Sequence, residues 1–164
     1  MMRAIVLAVV LAGTLPEAAA AQTLAQAWTW CRDHDPDRLI RGCSAVIRAN
    51  KEGPDALARA YFNRGRAWSD QGRQDRAIQD FDHAIRLDPE YPDAFNSRAL
   101  AYRGMGQNER AIEDFNQAIR LDANYAIALF NRGLAFQALG RAEDAANDFA
   151  RAKDTGPRLT QPKE

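Results

Sequence analysis

The sequence predicts an all-α fold, an α-solenoid of stacked helical hairpins. Three observations predict it. One 34-residue pattern is written three times, without gaps, over residues 58–91, 92–125 and 126–159. Within each copy, small and apolar residues recur at helical spacing in two runs. A glycine separates the two runs, and the second ends at Asp88-Pro89, Asp122-Ala123 and Gly156-Pro157 in turn. A fixed period of this kind is the mark of a stacked array, in which each unit buries its apolar face only against its neighbours.

The columns of the repeat justify each element. Gly65, Ala99 and Gly133 share one column, and Gly72, Gly106 and Gly140 another. Ala77, Ala111 and Ala145, then Phe81, Phe115 and Phe149, then Ala84, Ala118 and Ala152 fill three more. Large residues occupy two further columns: Tyr61, Phe95 and Leu129, and Trp68, Tyr102 and Phe136. In the first copy, Ala58, Tyr61, Gly65 and Trp68 lie on one helical face. Gly72 ends that helix by accepting the left-handed conformation. Asp75 suits the first turn of the second helix, where the macrodipole favours an anion. Ala77, Ile78, Phe81, Ala84, Ile85 and Leu87 form its buried side. Asp88-Pro89 ends it, since a residue before proline avoids the helical region. Pro92 then opens the next copy, where no amide hydrogen is missed. Small columns predict close helix crossings, and aromatic columns fill the gaps between copies.

This pattern resembles the tetratricopeptide repeat. That family places a large apolar residue, Gly or Ala, an aromatic, Gly, Ala, an aromatic, Ala and Pro at set spacings. The first copy meets it with Tyr61, Gly65, Trp68, Gly72, Ala77, Phe81, Ala84 and Pro89. The second copy has Ala123 for the proline and Ala99 for the glycine. The third has Leu129 for the aromatic and regains Pro157. The resemblance implies a right-handed α-solenoid with three repeats.

Residues 1–21 read as a secretory signal peptide rather than part of the fold. Arg3 supplies the positive start, residues 4–15 an apolar run too short for a permanent span, and residues 18–21 small side chains before a cleavage at Ala21-Gln22. Export to a periplasm, or to the medium, follows from it. Loss of this segment takes one charge of each sign, Arg3 and Glu17, so the chain stays neutral. Neutrality argues against nucleic acid as a partner, for which a basic stripe is expected. Nothing after residue 21 is apolar for long enough to span a membrane.

Residues 22–57 read as a divergent N-terminal hairpin. Leu24, Ala27, Trp28, Trp30 and Cys31 form a first short helix, broken at His34-Asp35-Pro36. Leu39, Ile40, Cys43, Val46 and Ile47 carry the second. Two registers against the repeat are open: one sets Cys43 in the Phe81 column, and the other sets Cys31 under Gly65 and Cys43 under Ala77. In both, the cysteines face each other across the hairpin. As the only two in an exported chain, Cys31 and Cys43 are expected to form a disulfide staple. A redox pair and a metal pair are the rival readings. Only Asp33, His34 and Asp35 lie nearby as further ligands, and that segment reads as a solvated loop.

At the far end, the residues that would meet a fourth copy lose their apolar mass. Ile78 and Ile112 become Ala146, Ile85 and Ile119 become Lys153, and Leu87 and Leu121 become Thr155. The last helix is expected to cap itself, with a frayed tail from Gly156 and residues 160–164 outside the repeat. A stable monomer follows.

No catalytic constellation is present: no GxSxG, phosphate-cradling loop, HExxH or His–Cys pair. No cofactor or metal is expected, and His83 reads as a surface residue. The resemblance implies that the first helices line a concave groove for a protein or an extended peptide. Its columns are Arg59, Phe62, Asn63, Arg66 and Ser69; then Asp93, Asn96, Ser97, Leu100 and Arg103; then Ile127, Phe130, Asn131, Leu134 and Gln137. Asn63 and Asn131 hold the position from which family members bond a peptide backbone, since an amide both donates and accepts; Ser97 interrupts that ladder. Arg59, Arg66 and Arg103 make one end cationic, and Leu100, Ile127, Phe130 and Leu134 make the other apolar. The family's chaperone-tail clamp is not reproduced. Arg64, Arg98 and Arg132 also recur in register, and are expected to lay their stems on the aromatics with their heads in water. The function these features imply is an adaptor or scaffold of the cell envelope. A thiol-redox protein using Cys31 and Cys43, and a self-assembling structural module, are the alternatives.

Overall fold

The computed structural model describes residues 15–155. Eight helices run through them, with no strand among them: α1 (Leu15–Trp30), α2 (Pro36–Ala49), α3 (Pro54–Asp70), α4 (Gln74–Leu87), α5 (Pro92–Gly104), α6 (Asn108–Leu121), α7 (Ala126–Ala138) and α8 (Ala142–Thr155). The expected leader lies outside the described residues up to residue 14. From Leu15 the backbone belongs to α1, which runs on through the Ala21-Gln22 bond and is longer than the short helix expected from Gln22. The tail expected to fray from Gly156 lies outside the described residues. No helix among the described residues is long and apolar enough to cross a membrane.

Each helix packs against its neighbours in the chain. In addition α3 approaches α5 and α5 approaches α7 with Cα atoms within 8 Å, while among the described residues α4 and α6 do not come that close, nor do α6 and α8. The first helices of the repeats are therefore closer together than the second helices. An array with unequal layer spacing curves toward the tighter layer, so α3, α5 and α7 form the concave side.

The glycine column works as expected. Gly72, Gly106 and Gly140 have φ of 74°, 75° and 74°. At each of these ends, the residue after the glycine donates its N–H back to a carbonyl of the last turn: Arg73 to Trp68 at 2.8 Å, Gln107 to Tyr102 at 2.9 Å and Arg141 to Phe136 at 2.9 Å. These bonds occupy carbonyls the helix leaves free.

The structure decides the register of the N-terminal hairpin. Helices α2 and α4 have the same length, and each starts and ends 38 residues apart, at Pro36 and Gln74, and at Ala49 and Leu87. Cys43 therefore stands in the Phe81 column. Cys31 keeps the place of Gly65, so a Cys–Cys contact replaces the Gly65–Phe81 contact of the next hairpin. The sulfurs of Cys31 and Cys43 lie at disulfide distance, with Cα atoms 4.5 Å apart. Such close approach needs Gly42, because a Cβ there would meet the Cys31 nitrogen at 2.5 Å and the Ala27 carbonyl at 2.6 Å. The displaced four residues form an extra turn at the start of α3, opened by Gly53-Pro54. Asp35 caps α2 by accepting from the Arg38 N–H at 2.7 Å, and Asp33 accepts from the Asp35 N–H at 2.9 Å.

One expectation is overturned. Arg64, Arg98 and Arg132 do lie over Tyr61, Phe95 and Phe136. Their heads, however, are not left to water. Arg64 donates from Nε and Nη2 to Asp80 at 2.8 and 2.7 Å, Arg98 to Asp114 at 2.7 and 2.6 Å, and Arg132 to Asp148 at 2.6 and 2.6 Å. The third nitrogen crosses to the preceding unit: Arg64 to Ser44, Arg98 to Asp82 and Arg132 to Asn116. Each arginine thus ties three helices together. A planar guanidinium matches a carboxylate with two parallel bonds, which a lone charge in water would forgo.

At the far end, Ala146, Lys153 and Thr155 are exposed, as their lost apolar mass predicts. Self-capping is nevertheless incomplete, because Ile127 and Phe130 of α7 remain 45% and 51% exposed.

Candidate functional site

The concave layer presents fifteen expected groove positions, and the structure divides them. At the first repeat Arg59 and Arg66 are exposed, and Arg66 lies over the Phe62 ring, 5.9 Å from its centre. Phe62 itself is buried, with its ring 4.9 Å from that of Tyr91. Burial and then Asp93 push the Tyr91 hydroxyl well above the usual tyrosine range, against the pull of Arg59 and Arg66. The two arginines therefore stand at the Tyr91 rim of the face, with Asp93 beside them. Ser69 is half-buried and bonded to Gln74 at 3.1 Å.

Asn63 and Asn96 are drawn into the fold. Asn63 donates its amide to the Cys31 carbonyl at 3.2 Å, which closes the C-terminal end of α1. Asn96 is buried, and its Oδ1 has no hydrogen-bond partner. Asp93 accepts from the Tyr125 hydroxyl, across the second junction. Leu100 is half-buried against the core, Ser97 and Arg103 are half-buried, and Gln137 is exposed.

The third repeat gathers what remains apolar. Ile127, Phe130 and Asn131 join Phe149, Ala152 and Lys153 around an open cleft of about 540 Å³. Phe130 and Phe149 meet with ring centres 5.4 Å apart. Leu134 is half-buried outside this cleft, and Asn131 is buried within it. Sequence reasoning missed Phe149, Ala152 and Lys153 as site residues. The signal was their placement in core columns that have no following copy to cover them.

His83 is exposed, stacked on Tyr61 at 4.7 Å and beside Arg86 at 2.9 Å. Partial burial, then Arg86, lower its pKa.

The family model described as TPR repeat matches residues 65–106 and 100–140. A solved structure, the second TPR of Spaghetti (RPAP3) bound to the HSP90 peptide SRMEEVD, is similar to this chain. It is 32% identical, with a TM-score of 0.59, over 60% of this chain and 91% of that one. The chain belongs to the tetratricopeptide-repeat family. Its fold is that family's right-handed α-solenoid.

Two further structures are similar to this tetratricopeptide-repeat chain. The crystal structure of MamA has a TM-score of 0.74 at 24% identity, over 85% of this chain and 80% of that one, and speaks to the fold alone. The Sgt2 TPR domain from Aspergillus fumigatus has a TM-score of 0.60 at 25% identity, over 63% of this chain and 68% of that one. No curated protein matches the sequence.

Proposed function

We propose that this tetratricopeptide-repeat chain is a non-catalytic adaptor of the bacterial cell envelope, exported by its N-terminal leader and working as a monomer in the periplasm or the medium. It holds an extended segment of a partner protein along its concave face. The observation that carries this reading is the division of one face into two ends. Exposed Arg59 and Arg66 stand at one end, and exposed Ile127 and Phe130 at the other. A segment with an acidic part and an apolar part complements both, and charge complementarity sets register and on-rate. A similar structure, the Spaghetti (RPAP3) repeat, is bound to a peptide written SRMEEVD, which carries three acidic residues. The binding mode there need not be shared, since the clamp residues of that class are absent from this sequence.

The cysteine pair serves as a staple under this reading. Both residues are fully buried, and a reactive thiol pair needs access. A thiol-redox role therefore gains no support from the geometry.

The test is a pull-down from envelope extract with the chain as bait, beside a variant carrying Arg66→Ala, Phe130→Ala and Asn131→Ala. A partner held by the native chain and lost by the folded variant supports the reading. The same partner held by both places binding elsewhere and sinks the concave-face claim.

A further inference from the structure

The cleft at the open end is a site the repeat has already shown how to fill. Between consecutive repeats, a shelf on one hairpin is covered by the first helix of the next. The shelf of α3 and α4 is Phe62, Phe81, Ala84 and Ile85, and what covers it is Tyr91, Ala94 and Ala101. The shelf of α6 is Phe115, Ala118 and Ile119, and what covers it is Tyr125, Ala128 and Ala135. The N-terminal junction follows suit, with Ala60 buried against Cys43, Val46 and Ile47. At the two junctions between full repeats the occupant is thus an aromatic directly ahead of a helix, with alanines three and ten positions later; at the N-terminal junction Leu57 holds the place of the aromatic. The alanines let the helix approach closely, and the ring fills the space over the shelf.

The same shelf on α7 and α8 is Phe130, Phe149, Ala152 and Lys153, and among the described residues nothing covers it. One residue differs in kind. Lys153 replaces Ile85 and Ile119, in the last turn of α8. In the covered junctions the incoming helix starts within a few residues of the end of the preceding one. Its first turn therefore lies beside the position Lys153 holds. An acidic residue is favoured in a first turn by the macrodipole as well as by this cation.

We propose that the open shelf of α7 and α8 docks an amphipathic helix of a partner protein, one with an aromatic residue directly ahead of its first turn, a carboxylate in that turn and small residues three and ten positions after the aromatic. This rests on the adaptor reading and names the chemistry of the apolar part of its partner. The partner segment is extended along Arg59 and Arg66 and turns helical at this shelf, because at every covered junction the occupant is a helix. A second copy of the chain is disfavoured as occupant, because the faces that carry this pattern in α5 and α7 are already buried within the array.

The chain supplies its own probe, since residues 88–107 carry Tyr91, Asp93 in the first turn, Ala94 and Ala101. A fluorescent synthetic peptide of this sequence is titrated with the full chain, and anisotropy is followed. Saturable binding is expected, weakened by about tenfold by Phe130→Ser, by Lys153→Glu or by Tyr91→Ser in the peptide, the scale of one lost aromatic contact or charge pair. Phe130 and Lys153 are both exposed, and circular dichroism checks that the variants stay folded. Arg120→Ala, on α6 and not among the residues that line the α7–α8 shelf, serves as the control and leaves the affinity unchanged. Absence of saturable binding overturns the proposal, as does binding indifferent to both shelf variants. Self-association dispersed by Lys153→Glu makes a second copy the occupant, and binding that appears only after removal of residues 156–164 makes it the chain's own tail; either result also overturns it. If the peptide fails while Arg66→Ala alone releases a partner in the pull-down, the adaptor reading survives and only the shelf is lost.

Discussion

Arg98 donates two parallel bonds to Asp114, sixteen residues further on, across the α5–α6 hairpin. The side chains are only 19% and 8% exposed. Burial works against the charge on Arg98, but its bonds to Asp114 and Asp82 outweigh that and raise its pKa. Burial lifts the Asp114 carboxyl, and Arg98 draws it back. Because Arg98 also reaches Asp82 on α4, the pair fixes the angle between successive hairpins as well as the closure of one.

Breaking this pair is therefore expected to be expensive. Arg98→Ala strands a buried carboxylate and should lower unfolding free energy by about 3 kcal/mol. The double variant Arg98→Met with Asp114→Leu removes both charges and should recover most of that loss. Urea melts of the three proteins check it, and a single variant within about 0.5 kcal/mol of the parent, the range of an ordinary surface change, would show the ladder to be ornamental.

Gly42 is predicted to be intolerant. A Cβ there meets main-chain atoms of Cys31 and Ala27, which cannot swing aside. Gly42→Ala should cost about 1–3 kcal/mol through overpacking. Gly53→Ala, whose Cβ meets nothing within 4 Å, is the matched control and should change little. Thermal melts compare the two directly.

Asn96 offers a test in the opposite direction. Its Oδ1 is buried with no partner, a state that costs about 1–3 kcal/mol. Phe62 and Phe130 show that its column takes apolar side chains. Asn96→Leu should thus be neutral or stabilising by about 1 kcal/mol. Clear destabilisation in a denaturant melt would mean that the amide is satisfied in solution.

The staple is expected to show in thiol counting. Native protein should yield no free thiol, and Cys31→Ser with Cys43→Ser should lose about 2–3 kcal/mol for a loop of this length. Titration with a thiol reagent under native and denaturing conditions separates this from an open, reactive pair, which would react at once in the folded state.

Much of this was legible in the sequence. The period, the glycine ends at Gly72, Gly106 and Gly140, and the Asp-Pro stop at Pro89 act locally, so a linear reading finds them. The pairing of Arg64, Arg98 and Arg132 with Asp80, Asp114 and Asp148 was not read, although both columns repeat every 34 residues. Which column faces which depends on the crossing of two helices, and spacing along the chain does not give that. The same holds for Asn63: its amide suits a peptide, but the fold turns it onto the Cys31 carbonyl. The hairpin register stayed open because a four-residue slip, just over one helical turn, keeps the apolar residues on nearly the same face. Ser44, in line with Asp82 as the far contact of the arginine ladder, closes that question. Phe149 and Lys153 escaped notice as site residues because their columns are core columns wherever a following repeat exists.

The most direct measurement of the central claim is hydrogen exchange of the chain with its captured partner bound. New protection is expected along α3, α5 and α7, strongest near Arg66 and Phe130. Protection confined to α2, α4 and α6, with the concave helices unchanged, would contradict it.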